Sequence, residues 1–263
     1  LTHAGIDNFV VLERHMVGSS FALWPAEMRL ITPSFPTNSI GMLDLNSIAI
    51  GVSPGFSIQV EHPTGKQYAE HLKKVARFFE LPVRENVNVR QITKSEDGFE
   101  LRAASETIRA KHVIWAAGEY QYPRIKGFSG IEHCRHNATI ADYASLEGDD
   151  FIIIGGYESG VDAAYHLARR GKRVKLFDKG EPWSSETADP SVALSVYSIE
   201  RLRSDRFTDN VELFANTAIE SVSLVDGVYE VTAQNGKTFR TSAQPLWAGG
   251  FVGSHQLVGN VFE

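Results

Sequence analysis

Residues 151–171, "FIIIGGYESGVDAAYHLARRG", decide the fold of this chain. An apolar run of strand length leads into a glycine turn and then a helical pattern, the arrangement that receives the pyrophosphate of a dinucleotide. The strand 173–177 follows and ends at Asp178, about 20 residues on, where the acid of such a unit accepts hydrogen bonds from a ribose. Tyr157, however, occupies the middle glycine position of G-x-G-x-x-G. The stretch therefore predicts a strand–loop–helix–strand unit that binds a nucleotide, with one departure from the motif.

The alternative for this stretch is a tight strand-to-helix turn that needs glycine only for its geometry. The spaced acid and the flanking strands favour a nucleotide site, with cofactor contacts predicted from Gly155, Gly156, Tyr157, Glu158, Ser159, Gly160 and Asp178. The carboxylate of Asp178 favours NADH because it would repel a 2′-phosphate. NADPH stays open because four cationic residues lie nearby in sequence, Lys172, Arg173, Lys175 and Lys179. The side chain of Tyr157 is expected to lie over the site or to point to solvent.

The composition of the chain argues against several kinds of partner. Its 263 residues carry a formal net charge of −6, which disfavours nucleic acid or an anionic membrane as the main partner. No apolar run approaches the ~20 residues that a membrane-spanning helix needs. Cys134 is the only cysteine, so the chain can form neither an internal disulfide nor a Cys-x-x-Cys redox pair. These features fit a reducing cytoplasm, and no metal site is predicted.

The order of elements occurs twice along the chain, and this repeat carries more weight than any single motif. Residues 8–12 form an apolar strand that ends at Glu13; a helix, a strand meander and the apolar run 112–118 ("HVIWAAG") follow. The second half repeats strand, helix, acid-terminated strand and meander, and closes with the apolar run 245–251 ("PLWAGGF"). The runs 8–12 and 112–118 are predicted to be buried strands. The repeat predicts an α/β fold with two Rossmann-like dinucleotide-binding domains.

Several stretches match motifs of one group of proteins. They are "VVLER" (10–14) with "GSSF" (18–21) and Trp24, "MRLITPS" (28–34), "VIWAAGEYQYP" (113–123), "IIIGGYESGVDAA" (152–164) and "PLWAGGF" (245–251). On these motifs the chain resembles the flavoproteins that have two dinucleotide-binding domains. This group comprises flavin-containing monooxygenases, their bacterial relatives, and thioredoxin-reductase-like enzymes of the pyridine nucleotide-disulfide oxidoreductase type.

The resemblance implies a three-layer ββα architecture in which an NAD(P)-binding domain is inserted into an FAD-binding domain. The expected boundaries are residues 1–123 for the FAD domain, 124–243 for the NAD(P) domain and 244–263 for the return to the FAD domain. The expected cofactors are FAD and either NADH or NADPH. In this family a first flavin glycine loop would precede Leu1, and a last strand and helix would follow Glu263. The chain is therefore expected to be a family member truncated at both ends.

The resemblance also implies site residues outside the glycine loop. Asn38 is the catalytic candidate, with a hydrogen bond to the flavin edge as its role and a turn-forming position as the alternative. Glu13 would accept hydrogen bonds from the flavin ribose, as Asp178 would from the second nucleotide. Further cofactor contacts are expected from Arg14, Gly18, Ser19, Ser20, Phe21, Trp24, Arg29, Val89, Ala116, Ala117, Gly118, Ala248, Gly249 and Gly250.

The function that the resemblance implies is that of an FAD-dependent, NAD(P)H-oxidising oxidoreductase of the monooxygenase type. Hydride would pass from NAD(P)H to flavin N5 and the electrons then to oxygen, with a small molecule as substrate. Two alternatives stay open: a flavoprotein that reduces an external disulfide or quinone, and a nucleotide-binding remnant without catalysis. A homodimer is compatible with the sequence. The identity of the substrate is not encoded in any recognisable motif.

The Baeyer–Villiger pattern F-x-G-x-x-x-H is only half present. Phe128 and Gly130 fit it, but Cys134 stands at the histidine position, which argues against a standard enzyme of that type. Cys134 is predicted to be an ordinary thiol rather than a nucleophile. His136 is predicted to be a solvated linker residue, with a role in orienting the nicotinamide domain as the alternative.

Overall fold

A computed structural model describes residues 1–36, 43–49, 51–189, 191–259 and 261. The strands are β1 (Val11–Leu12), β2 (Val83–Arg84), β3 (Gln91–Ser95), β4 (Gly98–Arg102), β5 (Thr107–Ala110), β6 (Arg135–His136), β7 (Asp150–Ile154), β8 (Arg173–Phe177), β9 (Val211–Phe214), β10 (Ile219–Val225), β11 (Val228–Ala233), β12 (Thr238–Thr241) and β13 (Leu246–Trp247). The α-helices are α1 (Ser19–Ala22), α2 (Pro54–Ser57), α3 (Gly65–Phe78), α4 (Glu158–Ala168), α5 (Val196–Leu202) and α6 (Asp205–Asn210). Short 3-10 helices lie at Thr2–Ala4, Ile131–His133, Asn137–Thr139, Pro182–Ser184 and Ser254–Leu257.

A parallel five-stranded sheet forms the centre of the second half. Its strand order is β6-β13-β7-β8-β9, and every neighbouring pair is parallel. Strand β7 is an apolar run buried on both faces, as strands of such sheets are. Because β7 and β8 are neighbours in register, the residues that follow them come together at one edge of the sheet.

The two faces of this sheet are covered by different layers. Ile153 and Leu176 point to the helical side, where they pack with Val161 and Leu167 of α4 in one buried cluster. Their neighbours in sequence point to the other side, where Ile152, Ile154 and Phe177 pack against Val231 and Ala233 of the antiparallel meander β10-β11-β12. The second half is thus a three-layer ββα unit of the kind that the resemblance implies.

The first half repeats this order in reduced form. Strands β1 and β2 form a parallel pair, with Val11 opposite Val83, and α3 lies between them in the chain. The antiparallel meander β3-β4-β5 follows. Helix α3 begins at a capping box, in which Thr64 accepts a hydrogen bond from the N–H of Gln67 and the Gln67 side chain accepts one from the N–H of Thr64.

Two predicted strands of the first half differ from the structure. The run 112–118 is not a strand, and its Ile114 side chain is 74% exposed, so the prediction of a buried strand there is wrong. The run 8–12 contains only the two-residue strand β1. An apolar pattern marks residues that favour strand geometry, but a strand also needs a hydrogen-bonded neighbour. Within the described residues, 112–118 has no such neighbour.

Candidate functional site

The loop between β7 and α4 depends on glycine for its close packing. Gly155 has φ +102°, a conformation that other residues rarely adopt, and a Cβ built on it would lie 2.5 Å from the Ala248 carbonyl oxygen. A Cβ on Gly160 would lie only 1.8 Å from the Gly155 carbonyl oxygen. Both glycines are therefore required for α4 to start against the end of β7, as in a nucleotide-binding unit.

The acid after β8 contacts this loop directly. The N–H of Gly156 donates to Asp178 Oδ2 at 2.7 Å, and the N–H of Gly180 donates to Asp178 Oδ1 at 2.7 Å. A Cβ on Gly156 would lie 2.4 Å from the ring of Trp183 and 2.9 Å from Asp178 Cβ. Each carboxylate oxygen retains a further lone pair, so Asp178 can accept a ribose hydroxyl while it holds the loop.

The amino end of α4 is suited to an anion. Tyr157 is the N-cap residue, and its side chain makes no capping hydrogen bond to the helix. The first N–H groups of this 11-residue helix therefore have no side-chain cap and carry the partial positive charge of a helix start. A pyrophosphate fits this position, where the glycine loop and Asp178 converge.

The side chain of Tyr157 neither covers the loop nor points to solvent, so both expectations for it are wrong. Its ring packs against the helical-side cluster, and its hydroxyl donates to the Ala193 carbonyl oxygen at 2.8 Å. Burial, with the charges of Glu158 and Asp189, raises the pKa of the phenol. The middle position of the motif thus holds a tyrosine that has turned towards the segment before α5.

Glu158 connects the starts of two helices. Its carboxylate accepts hydrogen bonds from the N–H of Ser195 at 2.6 Å and from the hydroxyls of Ser195 and Ser198. Ser195 is the N-cap residue of α5. The carboxylate is therefore engaged in fixing α5 beside α4.

A cavity of about 150 Å³ lies at the carboxyl edge of the parallel sheet, between the two halves of the chain. Such an edge is where open α/β sheets bind their ligands. The cavity brings together four of the predicted cofactor residues, Trp24, Ser159, Ala248 and Gly250. Of the other lining residues, the sequence singled out only His136; it assigned no role to Met28, Tyr120, Asn137, Ala138 and Phe251.

His136 forms part of the cavity wall and is 8% exposed, so its prediction as a solvated linker residue is wrong. Its Nε2 lies 3.0 Å from the Gly250 carbonyl oxygen, and its Nδ1 accepts a hydrogen bond from the N–H of Ala138 at 3.1 Å. A neutral ring with its proton on Nε2 satisfies both contacts. Burial lowers the pKa of His136, against the smaller opposing effect of the Gly250 carbonyl.

Aromatic rings form the rest of the wall. The Tyr120 ring lies 6.4 Å from Trp24 and 5.2 Å from Phe251, measured between ring centroids. The Tyr120 hydroxyl contacts the carbonyl oxygens of Leu23 and Ala138, at 3.3 and 3.4 Å, so it joins the two halves. Burial raises the pKa of Tyr120 to about 12. The wall is neutral and largely apolar.

The predicted flavin residues of the first half lie around the carboxyl end of β1 and the start of α3. Glu13 Oε1 accepts a hydrogen bond from the N–H of His15 at 2.9 Å. Gly18 has φ +80°, and a Cβ on it would lie 2.8 Å from Ala69 Cα, so this loop needs glycine to approach α3. Phe21 packs on Trp24 and Tyr68, with ring centroids 5.0 and 4.8 Å apart.

The remaining predicted residues lie at separate positions. Arg14 donates from Nε to the His15 ring, Ser19 Oγ contacts Met16, Ser20 is exposed, and Arg29 forms a β-bridge with Thr64. Val89 packs against the buried cluster that contains Ile92 and Leu101. The carbonyl of Ala117, which lies between Ala116 and Gly118 in the chain, accepts a hydrogen bond from Gln121, and Gly118 has φ +67°. Gly249 lies against the Trp247 ring. Asn38 lies outside the described residues.

The described residues hold neither a candidate metal site nor a helix that could cross a membrane. They contain no group of three or more His, Cys, Asp and Glu side chains that could hold a metal ion. None of their helices is long and apolar enough to cross a membrane. Burial, with the charge of Glu132, raises the pKa of Cys134 to about 12, so this thiol is protonated at neutral pH.

One protein-family model matches the whole chain. The family model "Pyridine nucleotide-disulphide oxidoreductase" matches residues 1–263. The chain is 24% identical to the bacilliredoxin reductase Bdr of Bacillus subtilis, over 70% of this chain and 53% of that protein. It is 24% identical to the uncharacterized oxidoreductase CzcO of Bacillus velezensis, over 44% of this chain and 36% of that protein. The chain thus spans well under two thirds of the length of these curated relatives.

Solved structures share the fold. The bacillithiol disulfide reductase Bdr (YpdA) from Staphylococcus aureus matches with a TM-score of 0.79 at 17% identity, over 99% of this chain and 74% of that chain. A flavin-containing monooxygenase from Stenotrophomonas maltophilia matches with a TM-score of 0.60 at 16% identity, over 93% and 78%. These likenesses confirm the predicted α/β fold with two Rossmann-like dinucleotide-binding domains.

Proposed function

Because the chain belongs to the pyridine nucleotide-disulphide oxidoreductase family, we propose that it oxidises NADH or NADPH through FAD and passes the electrons to oxygen in a monooxygenase-like reaction. The family is one of FAD- and NAD(P)H-dependent oxidoreductases, and these cofactors, when bound, supply the hydride-transfer chemistry. The observation that carries the proposal is the loop 155–160, with the start of α4 and Asp178, beside the cavity between the halves.

The glycine loop would hold the nicotinamide nucleotide. The N–H groups at the start of α4 would receive the pyrophosphate, and Asp178 would accept a ribose hydroxyl. Two of the four cationic residues near Asp178 in sequence form ion pairs elsewhere, so they are not placed to bind the 2′-phosphate of NADPH, which favours NADH. Arg173, at the opposite end of β8, pairs with Asp150, and Lys172 pairs with Asp149 at 3.0 Å.

For the flavin, Glu13 supplies a carboxylate at the carboxyl end of β1, the position of a ribose acid. We propose that residues 1–123 belong to the FAD domain and that the NAD(P) domain begins at 124. Strand β13 hydrogen-bonds to β6 and β7 inside the second-half sheet. We therefore place the return to the FAD domain after Trp247 rather than after residue 243.

The cavity would keep water from the reacting centre. Trp24, Tyr120 and Phe251 present rings to it, and His136 closes it with a neutral imidazole. A dry, fixed wall of this kind strengthens electrostatic interactions and limits side reactions of reduced cofactors. A small-molecule substrate would reach the reaction through this space.

Reduction of an external disulfide or quinone is the second candidate function. The likeness to the Bdr structure from Staphylococcus aureus favours it. The only cysteine is Cys134, whose pKa of about 12 makes it a poor redox thiol, so the disulfide would have to belong to a partner molecule.

Oxygen dependence separates the two candidates. The FAD-loaded protein is mixed with NADH in air and under nitrogen, and NADH oxidation and peroxide release are followed. The monooxygenase-like function predicts turnover only in air, with hydrogen peroxide in the absence of a substrate. Turnover under nitrogen with an added disulfide or quinone would instead assign the reductase function. A protein that binds neither FAD nor NADH would exclude both.

A further inference from the structure

A groove of about 380 Å³ lies on the first half, between the end of α2 and one face of α3. Its volume falls within the range of small-molecule sites. None of its residues lines the cavity at the sheet edge. They are Ser57, Ile58, Lys66, Gln67, Glu70, His71 and Lys74.

The groove carries an excess of positive charge. Its one carboxylate, Glu70, is bound by Lys73 Nζ at 2.6 Å, and this hydrogen bond lowers the pKa of Glu70. Within the described residues, neither Lys66 nor Lys74 forms an ion pair. The two lysines are eight positions apart on α3, about 12 Å along the helix axis. Two lysines about two helical turns apart thus line the groove.

A hydrogen-bonded pair lies at the mouth of the groove. Ser57 Oγ lies 2.6 Å from Nδ1 of His71, which is 2% exposed, whereas Ser57 is exposed. Burial lowers the pKa of His71, and the charge of Asp44 offsets this in part, so the ring is neutral at pH 7. The tautomer with its proton on Nδ1 donates to Ser57 and leaves the serine O–H free to donate outwards.

We propose that this groove binds a small organic molecule with two anionic groups, carboxylate or phosphate, one at Lys66 and one at Lys74. The flexible stem and point charge of lysine suit separate anionic groups rather than one planar anion. Ser57 donates a hydrogen bond to the ligand, and Ile58 contacts its carbon chain. The site is independent of the proposed flavin chemistry.

Calorimetric titration of the FAD-loaded protein tests the site. The probes are the dicarboxylates succinate, adipate and suberate, with fructose 1,6-bisphosphate as the phosphate arm and butyrate and inorganic phosphate as single anions. We expect at least one doubly anionic probe to bind saturably and more tightly than either single anion. Lys66→Gln and Lys74→Gln should each lower the affinity for that doubly anionic probe about fivefold, and the double variant should lower it about 25-fold.

The control is Lys237→Gln, which removes a lysine from the distant turn between β11 and β12 and should leave the affinity unchanged. Ser57→Ala should weaken binding without affecting NADH oxidation. Two results would overturn the proposal: no saturable binding by any doubly anionic probe, or equal affinity in the wild type and the double lysine variant. Tight binding of NADH in all variants would show that the nucleotide site is intact whichever way the titration falls.

Discussion

At the scale of single residues, Tyr157 shows what a motif can and cannot predict. The sequence places it at the middle glycine position, where a side chain could obstruct a pyrophosphate. The hydroxyl instead donates to the carbonyl oxygen of Ala193, 36 positions along the chain. A pattern of glycines reports on backbone approach but contains no information about so distant an acceptor. The loop itself was therefore predictable, and the direction of this ring was not.

Tyr157→Phe should destabilise the protein without affecting NADH binding. The variant leaves the Ala193 carbonyl without its donor, which costs about 1 kcal/mol of unfolding free energy. Urea unfolding and NADH titration measure the two effects. A variant that binds NADH several-fold more tightly would show that the tyrosine obstructs the site after all.

Asp178→Asn should weaken the binding of NADH relative to that of NADPH and should also destabilise the loop between β7 and α4. The carboxylate accepts the N–H groups of Gly156 and Gly180, and an amide would turn an NH₂ group towards one of them. The expected loss is about 1–3 kcal/mol of unfolding free energy. The dissociation constants of both nucleotides are compared with those of Asp209→Asn, a change of the same kind on the exposed side of α6. An unchanged preference would mean that Asp178 does not face the ribose.

At the scale of elements, the centre of the second half was predictable because most residues of β7 and β8 are buried, on both faces of the sheet. The strand 173–177 has its predicted bounds, and α4 begins at Glu158, within the glycine motif. The run 112–118 has a similar pattern but is not a strand. Periodicity indicates which residues can form a strand, whereas pairing depends on neighbours far away in sequence.

Glu158→Gln should loosen the start of α5. Its carboxylate holds the N–H of Ser195 and the hydroxyls of Ser195 and Ser198, and charge-assisted bonds of this kind are stronger than those of a neutral amide. We expect a loss of about 1–2 kcal/mol and faster hydrogen exchange over residues 192–199. Glu200→Gln, a change of the same kind at an exposed position of α5, is the control. Equal exchange in both variants would contradict the capping role.

At the scale of the whole molecule, the cavity could not be predicted because it is built between the halves. His136 reaches the carbonyl of Gly250, 114 positions away, and Tyr120 contacts Leu23, 97 positions away. Other contacts between the halves include the ion pair of Arg170 with Glu27 at 2.7 Å. The sequence predicted the nucleotide loop from local spacing, but only the folded chain assembles the wall opposite it.

Stability should fall as the pH drops below the ordinary histidine pKa of about 6.5. Burial lowers the pKa of His71 and His136 in the folded protein, so the unfolded chain binds protons there that the native state does not. Their contribution is fully present above about pH 6.5 and is lost as the pH falls towards the lowered values. Carboxylates with lowered pKa, such as Asp150, act at more acidic pH.

Urea unfolding at about pH 7.5 and pH 5.5 measures this dependence. His136→Gln should show a smaller loss of stability between the two pH values than the wild type. His112→Gln, which removes an exposed imidazole, serves as the control. An equal loss in the wild type and His136→Gln would contradict a neutral, buried His136.

Reduction of the flavin by NADH bound at the loop 155–160 is tested most directly by one anaerobic mixing experiment. The FAD-loaded wild type, Gly156→Ala and Gly127→Ala are each mixed with NADH while the visible absorbance of oxidised flavin is recorded. A Cβ at Gly156 meets Trp183 at 2.4 Å, whereas one at Gly127 finds its nearest neighbour at an ordinary 3.6 Å. We predict that the absorbance bleaches in the wild type and Gly127→Ala, and far more slowly at low NADH in Gly156→Ala. Equal bleaching in all three proteins, or none in the wild type, would contradict the assignment of this loop to the nicotinamide nucleotide.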